Sequence, residues 1–287
     1  MRHTVDFANV GDYENITSIW RMAFADSDEY IKDFFNMMYK DGYALVSRVE
    51  GVPVAVAFFL EAQFVIKGRP FSAYYFYAAS THPSHRRQGH MGAILNKAEE
   101  VAIQRNVDFI ILVPAEGPLY RFYAKFGYQT TFAKRVVTFT REELQAMAVE
   151  PDLKHAFSMN IFDIRQTSLG LYDFLNWGED ALKYAMYEHN AAGGSVAFTS
   201  DGYAMYETGK KMMIVKEICS LSHPGELFTM LLMEDDVDIF KFWLPVKDPI
   251  HSESEEIIPV GMCLGLNEVA KVASFGIRDA YIGITLG

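Results

Sequence analysis

The spacing of apolar positions changes period several times along the chain. Residues 4–7, "TVDF", read as a short strand, and a helix opens near Asp12 with Ile16, Ile19, Trp20 and Ala23 at helical spacing. A second helix carries Tyr30, Ile31, Phe34, Phe35 and Met38. The period then becomes that of strands: "YALVSRVEGVPVAVAFFLEAQFVIKGRPFSAYYFYAAS" predicts three β-runs broken at the turns "EGVP" and "KGRP". The next helix places Met91, Ile94, Leu95, Ala98, Val101 and Ala102 on one face. "VDFIILVP" is a short apolar strand whose isolation between helices predicts parallel pairing. "GPLYRFYAKFGY" reads as a short helix ended by Gly127, and "QTTFAKRVVTFT" as a strand. This order predicts an α/β domain over residues 1–140, a mixed sheet flanked by helices.

Around "REELQAMAVEPDLKHAF" the composition turns polar and Pro151 interrupts it, so a linker is placed at 141–156 and a second domain at 157–287. The second part repeats the plan in weaker form. A helical run, "LGLYDFLNWGEDALKYAMYEH", precedes strands "SVAFTS", "YAMYET" and "MMIVKEICS". A helix starts near "HPGELFTMLLME", and "DIFKFWLP" is a strand. "DPIHSESEEIIP" reads as an exposed loop, with "VGMCLGL" and "AYIGITL" as final strands.

Charge narrows the function classes. A net charge of −11 over 287 residues argues against nucleic-acid binding, which demands a basic face, and with it against aminoacyl transfer from tRNA. Cys219 and Cys263 lie in apolar stretches without a CxxC spacing, so buried free thiols are expected and neither a metal site nor a disulfide. There is no apolar leader, and nowhere do ~18 apolar residues run uninterrupted, so a cytoplasmic protein without membrane contact is expected.

Candidate chemistry concentrates in "THPSHRRQGHMG", residues 81–92, between an apolar strand and an amphipathic helix. A helix N-terminus exposes unpaired N–H groups and a partial positive charge, both satisfied by an anion. Gly89 lets a phosphate approach the backbone, and Arg86 and Arg87 add permanent charge suited to phosphate oxygens. The bland alternative is a helix start with solvated arginines. The pattern is neither a Walker loop nor G-x-G-x-x-G.

"STHPSHRRQGHMGAIL" resembles motif A of the GNAT acyl-CoA N-acyltransferases, Q/R-x-x-G-x-G/A, and "LYRFYAKFGY" resembles their motif B, F-Y-x-x-x-G-F/Y. Both occur in order on a matching succession of strands and helices, so the resemblance covers roughly residues 1–140. One place departs: Met91 stands where Gly or Ala is usual, and Gly92 comes one residue late. The bulkier residue and the repeated plan resemble the enhanced-intracellular-survival type, without its third domain. The resemblance implies that 157–287 is a degenerate GNAT-like domain lacking the cofactor motif.

It also implies acetyl-CoA as cosubstrate, with Ala79, Ser80 and Thr81 offering backbone groups to its pantetheine arm at a splay between strands. Arg87, Gln88, Gly89, His90, Met91 and Gly92 would line the pyrophosphate. Tyr123 matches the tyrosine that protonates the leaving thiolate, and Tyr120, one turn earlier, competes with it. For the base, Glu61 is a lone carboxylate in an apolar strand, where burial would raise its pKa. An outward-facing strand residue is the plain alternative. His82, His85 and the carboxylate of Gly287 are weaker candidates. The function implied is N-acetyl transfer to a small-molecule or protein amine. A coenzyme A-binding regulatory protein without turnover is the alternative, and a homo-oligomer stays open.

Overall fold

Two hairpins start the sheet, and their turns explain their sequence. Glu50–Gly51 and Lys67–Gly68 all take positive φ, the two-residue turn whose twist suits flanking strands. They join β2 (Ala44–Val49), β3 (Val52–Ile66) and β4 (Arg69–Thr81) into an antiparallel meander, with β1 (Thr4–Phe7) on the β2 edge. The computed structural model describes residues 4–150, 160–234 and 237–286. Helices α1 (Tyr13–Phe24) and α2 (Asp28–Met37) precede the meander, and α3 (His90–Gln104) crosses from β4 to β5 (Phe109–Leu112). As expected, β5 pairs with β4 in parallel. Next come α4 (Gly117–Ala124), closed by Gly127 at φ 86°, and β6 (Gln129–Thr140).

The second half contains α5 (Arg141–Met147), α6 (Ile161–Leu169), β7 (Phe174–Trp177) and α7 (Glu179–Ala191). A second meander follows, β8 (Ser195–Phe198), β9 (Gly202–Thr208) and β10 (Met212–Ser220), then α8 (Gly225–Leu232) and β11 (Ile239–Leu244). The chain ends in β12 (Ser254–Gly265), α9 (Glu268–Ser274) and an irregular tail. Like β4–α3–β5, the unit β10–α8–β11 joins parallel neighbours.

All but β7 lie in one path, β1-β2-β3-β4-β5-β12-β6-β11-β10-β9-β8, and β7 pairs with β3. The centre of this order is an exchange. Strand β12, from the second half, lies between β5 and β6 of the first, antiparallel to both. Conversely, β6 pairs with β11 of the second half. The expected linker at 141–156 therefore divides the sequence but not the sheet; α5 occupies its start, and residues 151–156 lie outside the described part.

Three details differ from the periodicity. The long helical run breaks into β7 and α7 because "FLNW" pairs with β3 over Ala62–Trp177 to Val65–Phe174, with Gly178 capping the next helix. The loop "DPIHSESEEIIP" becomes strand from Ser254, and Pro259 is tolerated there because the register shifts at that place. "AYIGITL" makes only isolated bridges at Ala280 and Tyr281.

Side chains alternate across the sheet. One face packs Tyr74, Phe76 and Ile110 against α3 and α4, and Ala204, Val215 and Phe240 against α5 and α8. The other face buries Tyr75, Tyr77, Tyr203 and Phe132 beneath α1, α2, α6, α7 and the tail. The tail is fixed there by a buried ion pair. Glu217 accepts from Arg165 Nε and Nη2 at 3.1 Å, from Tyr203 O–H at 2.7 Å and from the Ile284 N–H at 3.0 Å. Both charged side chains are essentially inaccessible to solvent, and removing one partner of such a pair typically costs about 3–5 kcal/mol. Cys219 and Cys263 are buried free thiols, pushed up to about 12 and about 11 by burial. No described helix is long and apolar enough to cross a membrane.

The exchange makes a firm prediction. A chain cut after Thr140 loses β12 and leaves facing edges on β5 and β6, which run in the same direction and have no partner between them. It is expected to aggregate or to lack a cooperative thermal transition, and co-expression with residues 141–287 is expected to restore a soluble complex. A soluble, cooperatively unfolding 1–140 fragment would contradict the role given to β12.

Candidate active site

Strands β4 and β5 pair only from Ala73–Phe109 to Tyr75–Ile111. Beyond that, β4 continues through residues 76–81 without β5, so a gap opens between two neighbouring strands in mid-sheet. A bulge accompanies it. Val56 faces Ser80 and Phe58 faces Tyr77, leaving Ala57 opposite two residues, and Ala78 takes φ 47°. Backbone groups along this stretch are available to a ligand rather than to a ladder. Ser80 Oγ is buried without a hydrogen-bond partner among the described residues, which suits a polar ligand lying in the gap. The expected splay at Ala79, Ser80 and Thr81 is present.

The mouth of the gap is the Arg/Gln/Gly turn. It is braced internally: His82 Nδ1 contacts Ser84 Oγ at 2.7 Å, Arg86 Nε donates to Thr81 O at 3.3 Å, and Gln88 Nε2 donates to Ser84 O at 3.0 Å. Arg87 at φ 61° and Gly89 at φ 90° flank Gln88, and such left-handed residues turn successive N–H groups toward one concave side. Gly89 caps α3, whose first backbone bond runs from Ala93 N–H to Gly89 O at 3.0 Å. The helix start ahead of it is thus a natural anion seat. Arg86, Arg87, Gln88 and Gly89 are exposed around it.

Two of the expected pyrophosphate residues have further structural duties. His90 is buried, its Nδ1 2.9 Å from Ser47 Oγ, so its ring pins the helix start to β2 and only its backbone belongs to the turn. At Gly92 a Cβ would stand 3.0 Å from the Phe126 ring, so this glycine is needed for the approach of α3 to the end of α4. Met91, at the departure from the motif, is half-buried against the same apolar cluster.

The two tyrosines of α4 separate cleanly. Tyr120 O–H donates to Pro259 O of β12 at 3.1 Å, tying α4 to the exchanged strand. Tyr123 is buried, its phenol pushed up to about 12 by burial alone. Its hydroxyl is close enough to those of Tyr75 and Tyr128 to contribute to raising both, behind the larger effect of burial. Tyr123 packs with its ring 5.9 Å from that of Tyr128, in the cluster between α4 and the β4–β5 side of the sheet.

Glu61 corrects an expectation. It is exposed at the sheet surface, accepting from Tyr43 O–H at 2.6 Å and Lys40 Nζ at 3.0 Å. The Tyr43 hydrogen bond foremost holds its carboxyl below the usual range, the reverse of what a base raised by burial requires. It faces Tyr74, on the paired part of β4 away from the bulge. Gly287 lies outside the described residues.

The opposite face of the gap holds residues that no local pattern marks. Tyr77, just before the bulge, shares a 3.0 Å hydrogen bond with Tyr30 O–H of α2, and Tyr30 also donates to Glu188 of α7. Glu188 is separated from Tyr30 by 158 positions in sequence, and nothing local marks it.

Comparison with known proteins bears on the fold. Residues 4–131 match the family model described as an acetyltransferase (GNAT) domain. A GCN5-related N-acetyltransferase from Kribbella flavida is 15% identical, with a TM-score of 0.76 over 95% of this chain and 74% of that one. One from Anabaena variabilis is 15% identical, with a TM-score of 0.77 over 94% and 74%. Eis1 from Mycobacterium abscessus is 15% identical, with a TM-score of 0.71 over 95% and 76%. No curated protein sequence matches the chain. Residues 4–131 thus resemble a GNAT acetyltransferase domain, and the chain as a whole shares the fold of these structures.

The turn yields a paired prediction. Gly89→Val puts a side chain at the anion seat in a backbone region unfavourable to it, and is expected to abolish most coenzyme A affinity by calorimetry while the circular dichroism spectrum is kept. Gly92→Ala meets Phe126 instead, and is expected to lower Tm while leaving more of the affinity intact.

Proposed function

We propose that this chain is an N-acyltransferase that moves an acetyl group from acetyl-CoA to an amine. The observation that carries the reading is the gap between β4 and β5 with the start of α3 at its mouth. Arg87, Gln88 and the backbone of residues 89–92 hold the pyrophosphate, and the freed backbone of residues 79–81 orients the pantetheine arm. Bound there, acetyl-CoA supplies an activated thioester carbonyl. One cofactor is held per chain, because the corresponding helix start in the second half is closed: His223 Nδ1 takes the Gly225 N–H at 3.0 Å, and Gly225 packs against Val149.

Tyr123 serves the leaving sulfur. A phenol held at about 12 keeps its proton at neutral pH but is a weak acid toward a thiolate whose ordinary pKa is about 8.5. It acts by donating a hydrogen bond as charge develops, and by passing its proton only as the amine nitrogen gives one back. The second half roofs the opposite face of the gap, where an amine would arrive.

Tyr123→Phe keeps the ring and removes the donor. It is expected to lower kcat by about 10²–10⁴ with coenzyme A affinity nearly unchanged. Tyr120→Phe is expected to lower Tm by releasing Pro259 of β12, and to spare kcat. Thiol release from acetyl-CoA with a diamine, a polyamine and a lysine peptide measures both. Binding of coenzyme A with no thiol release for any amine would instead favour a regulatory coenzyme A-binding protein.

A further inference from the structure

The hydrogen bonds on the far side of the gap have a direction. A tyrosine hydroxyl carries one hydrogen. Tyr30 spends its hydrogen on the Glu188 carboxylate, so in the contact between Tyr30 and Tyr77 the donor must be Tyr77. The Tyr77 oxygen then retains lone pairs for a donor arriving at the bulge. The order is Tyr77 to Tyr30 to Glu188, three residues from β4, α2 and α7. Tyr77 and Glu188 are 6% and 8% exposed, and Tyr30 between them is half-buried.

Its outer end reaches a cavity. About 220 Å³ of space is lined by Tyr30, Glu188, His189, Lys216, Trp243 and Thr285 among others, so Glu188 faces the phenols on one side and this cavity on the other. The charged and titratable groups around the carboxylate are Tyr30 from α2, Tyr75 and Tyr77 from β4, Tyr184 and His189 from α7, Glu207 from β9 and Lys216 from β10. Lys216 is paired with Glu207. His189 Nε2 lies 3.0 Å from Ser195 O and 3.1 Å from Tyr206 O, so it acts there as a donor. Burial, and then the charge of Glu188, raise the pKa of Tyr30, Tyr77 and Tyr184. The phenols therefore hold their protons, and the carboxylate is the acceptor in the chain.

We propose that Tyr77, Tyr30 and Glu188 form the path by which the acceptor amine loses its proton, with Glu188 as the base and the cavity as the exit to solvent. This rests on the acyl-transfer reading above. An ammonium group at the bulge gives one proton to the Tyr77 oxygen as Tyr77 gives its own to Tyr30, and Tyr30 gives its own to Glu188. The neutral amine then forms the N–C bond as the C–S bond breaks. The second nitrogen proton balances the one that Tyr123 gives to sulfur, and Glu188 releases its proton through the cavity. Net, one proton reaches solvent for each amide formed. Entry of the amine and exit of the thiol occur on opposite faces of the sheet.

Glu188→Gln tests the path, because the amide can still accept from Tyr30 but cannot take a proton. Thiol release from acetyl-CoA is followed between pH 6 and about 10, the range over which a primary amine becomes neutral by itself, using whichever amine of the panel the unsubstituted chain acetylates. The expected result is a kcat/KM lower by about 10²-fold or more at pH 7, with the deficit closing as pH rises, unchanged coenzyme A affinity and unchanged Tm. Tyr30→Phe, which breaks the path but leaves the charge, is expected to show the same pH-dependent deficit. A Glu188→Gln profile matching the unsubstituted chain overturns the proposal, as does a loss equal at every pH with a lowered Tm, which marks a structural role. If the unsubstituted chain acetylates no amine, the acyl-transfer reading fails, and this proposal with it; the two failures are told apart by that control.

Discussion

The strand exchanged at the centre of the sheet is the constraint on which the rest depends. β5 needs an antiparallel partner, and its own half offers none in position, since β6 runs parallel to it one strand further on. β12 supplies the partner, and β6 does the same service for β11. Each half therefore finishes the other's backbone hydrogen bonding, which in a sheet interior cannot be left undone. The consequence for the site is direct. β12 fixes β5 from one side, so β5 can part from β4 on the other without the sheet coming open. Tyr120, anchored on Pro259 of this strand, carries the same constraint into α4 and sets where Tyr123 stands.

A gap between neighbouring strands is costly unless something fills it, and the local sequence shows how it is made. Ala78 at φ 47° and the two-against-one register at Ala57 turn β4 away just past Tyr75. The residues there are small: Ala78, Ala79 and Ser80 leave room where the preceding Tyr74, Tyr75, Phe76 and Tyr77 do not. The aromatic run packs both faces and holds the strand rigid up to the bulge, and the small residues then free the backbone. Rigidity and opening are adjacent along one strand, which is what a site needs if a ligand is to meet fixed peptide groups.

Much of this was legible in the sequence. The turn at 82–92, the parallel β4–β5 crossover and the helix of "LYRFYAKFGY" are written in contiguous residues with strong local signals, glycine at positive φ above all. The second meander could be read for the same reason. What could not be read depends on pairing between distant segments. Nothing in "SEEIIPVGMCLG" says that its partners are β5 and β6, and "FLNW" became a strand only because β3 extends past β2 and leaves an edge to pair. Glu61 misled because an acidic residue within an apolar run has two readings, and alternation placed it outward, against Tyr43 and Lys40. Glu188 was invisible for the opposite reason. On its helix it shares a stripe with Tyr184, Ala181 and Ala185, and only the packing of α7 against α2 turns that stripe inward.

The two faces of the sheet thus carry unlike chemistry, and the division follows from the fold. On the α3 side, the proposed anion seat consists of exposed arginines and a helix start, where solvent access is tolerable because charge attraction survives at the surface. On the α7 side, the proposed proton path requires fixed donors and acceptors, which a covered face provides. Within the first half only α1 and α2 pack on that second face; α6, α7 and the tail of the second half complete its cover. The buried Arg165–Glu217 pair holds the tail by the Ile284 N–H and the Ile282 carbonyl, the latter accepting from Arg165 at 3.3 Å. An ion pair so buried adds little net stability over an apolar replacement, but it penalises every arrangement that leaves either charge unpaired. It therefore acts chiefly to specify one position for the tail, and through Thr285 one wall for the cavity beside Glu188.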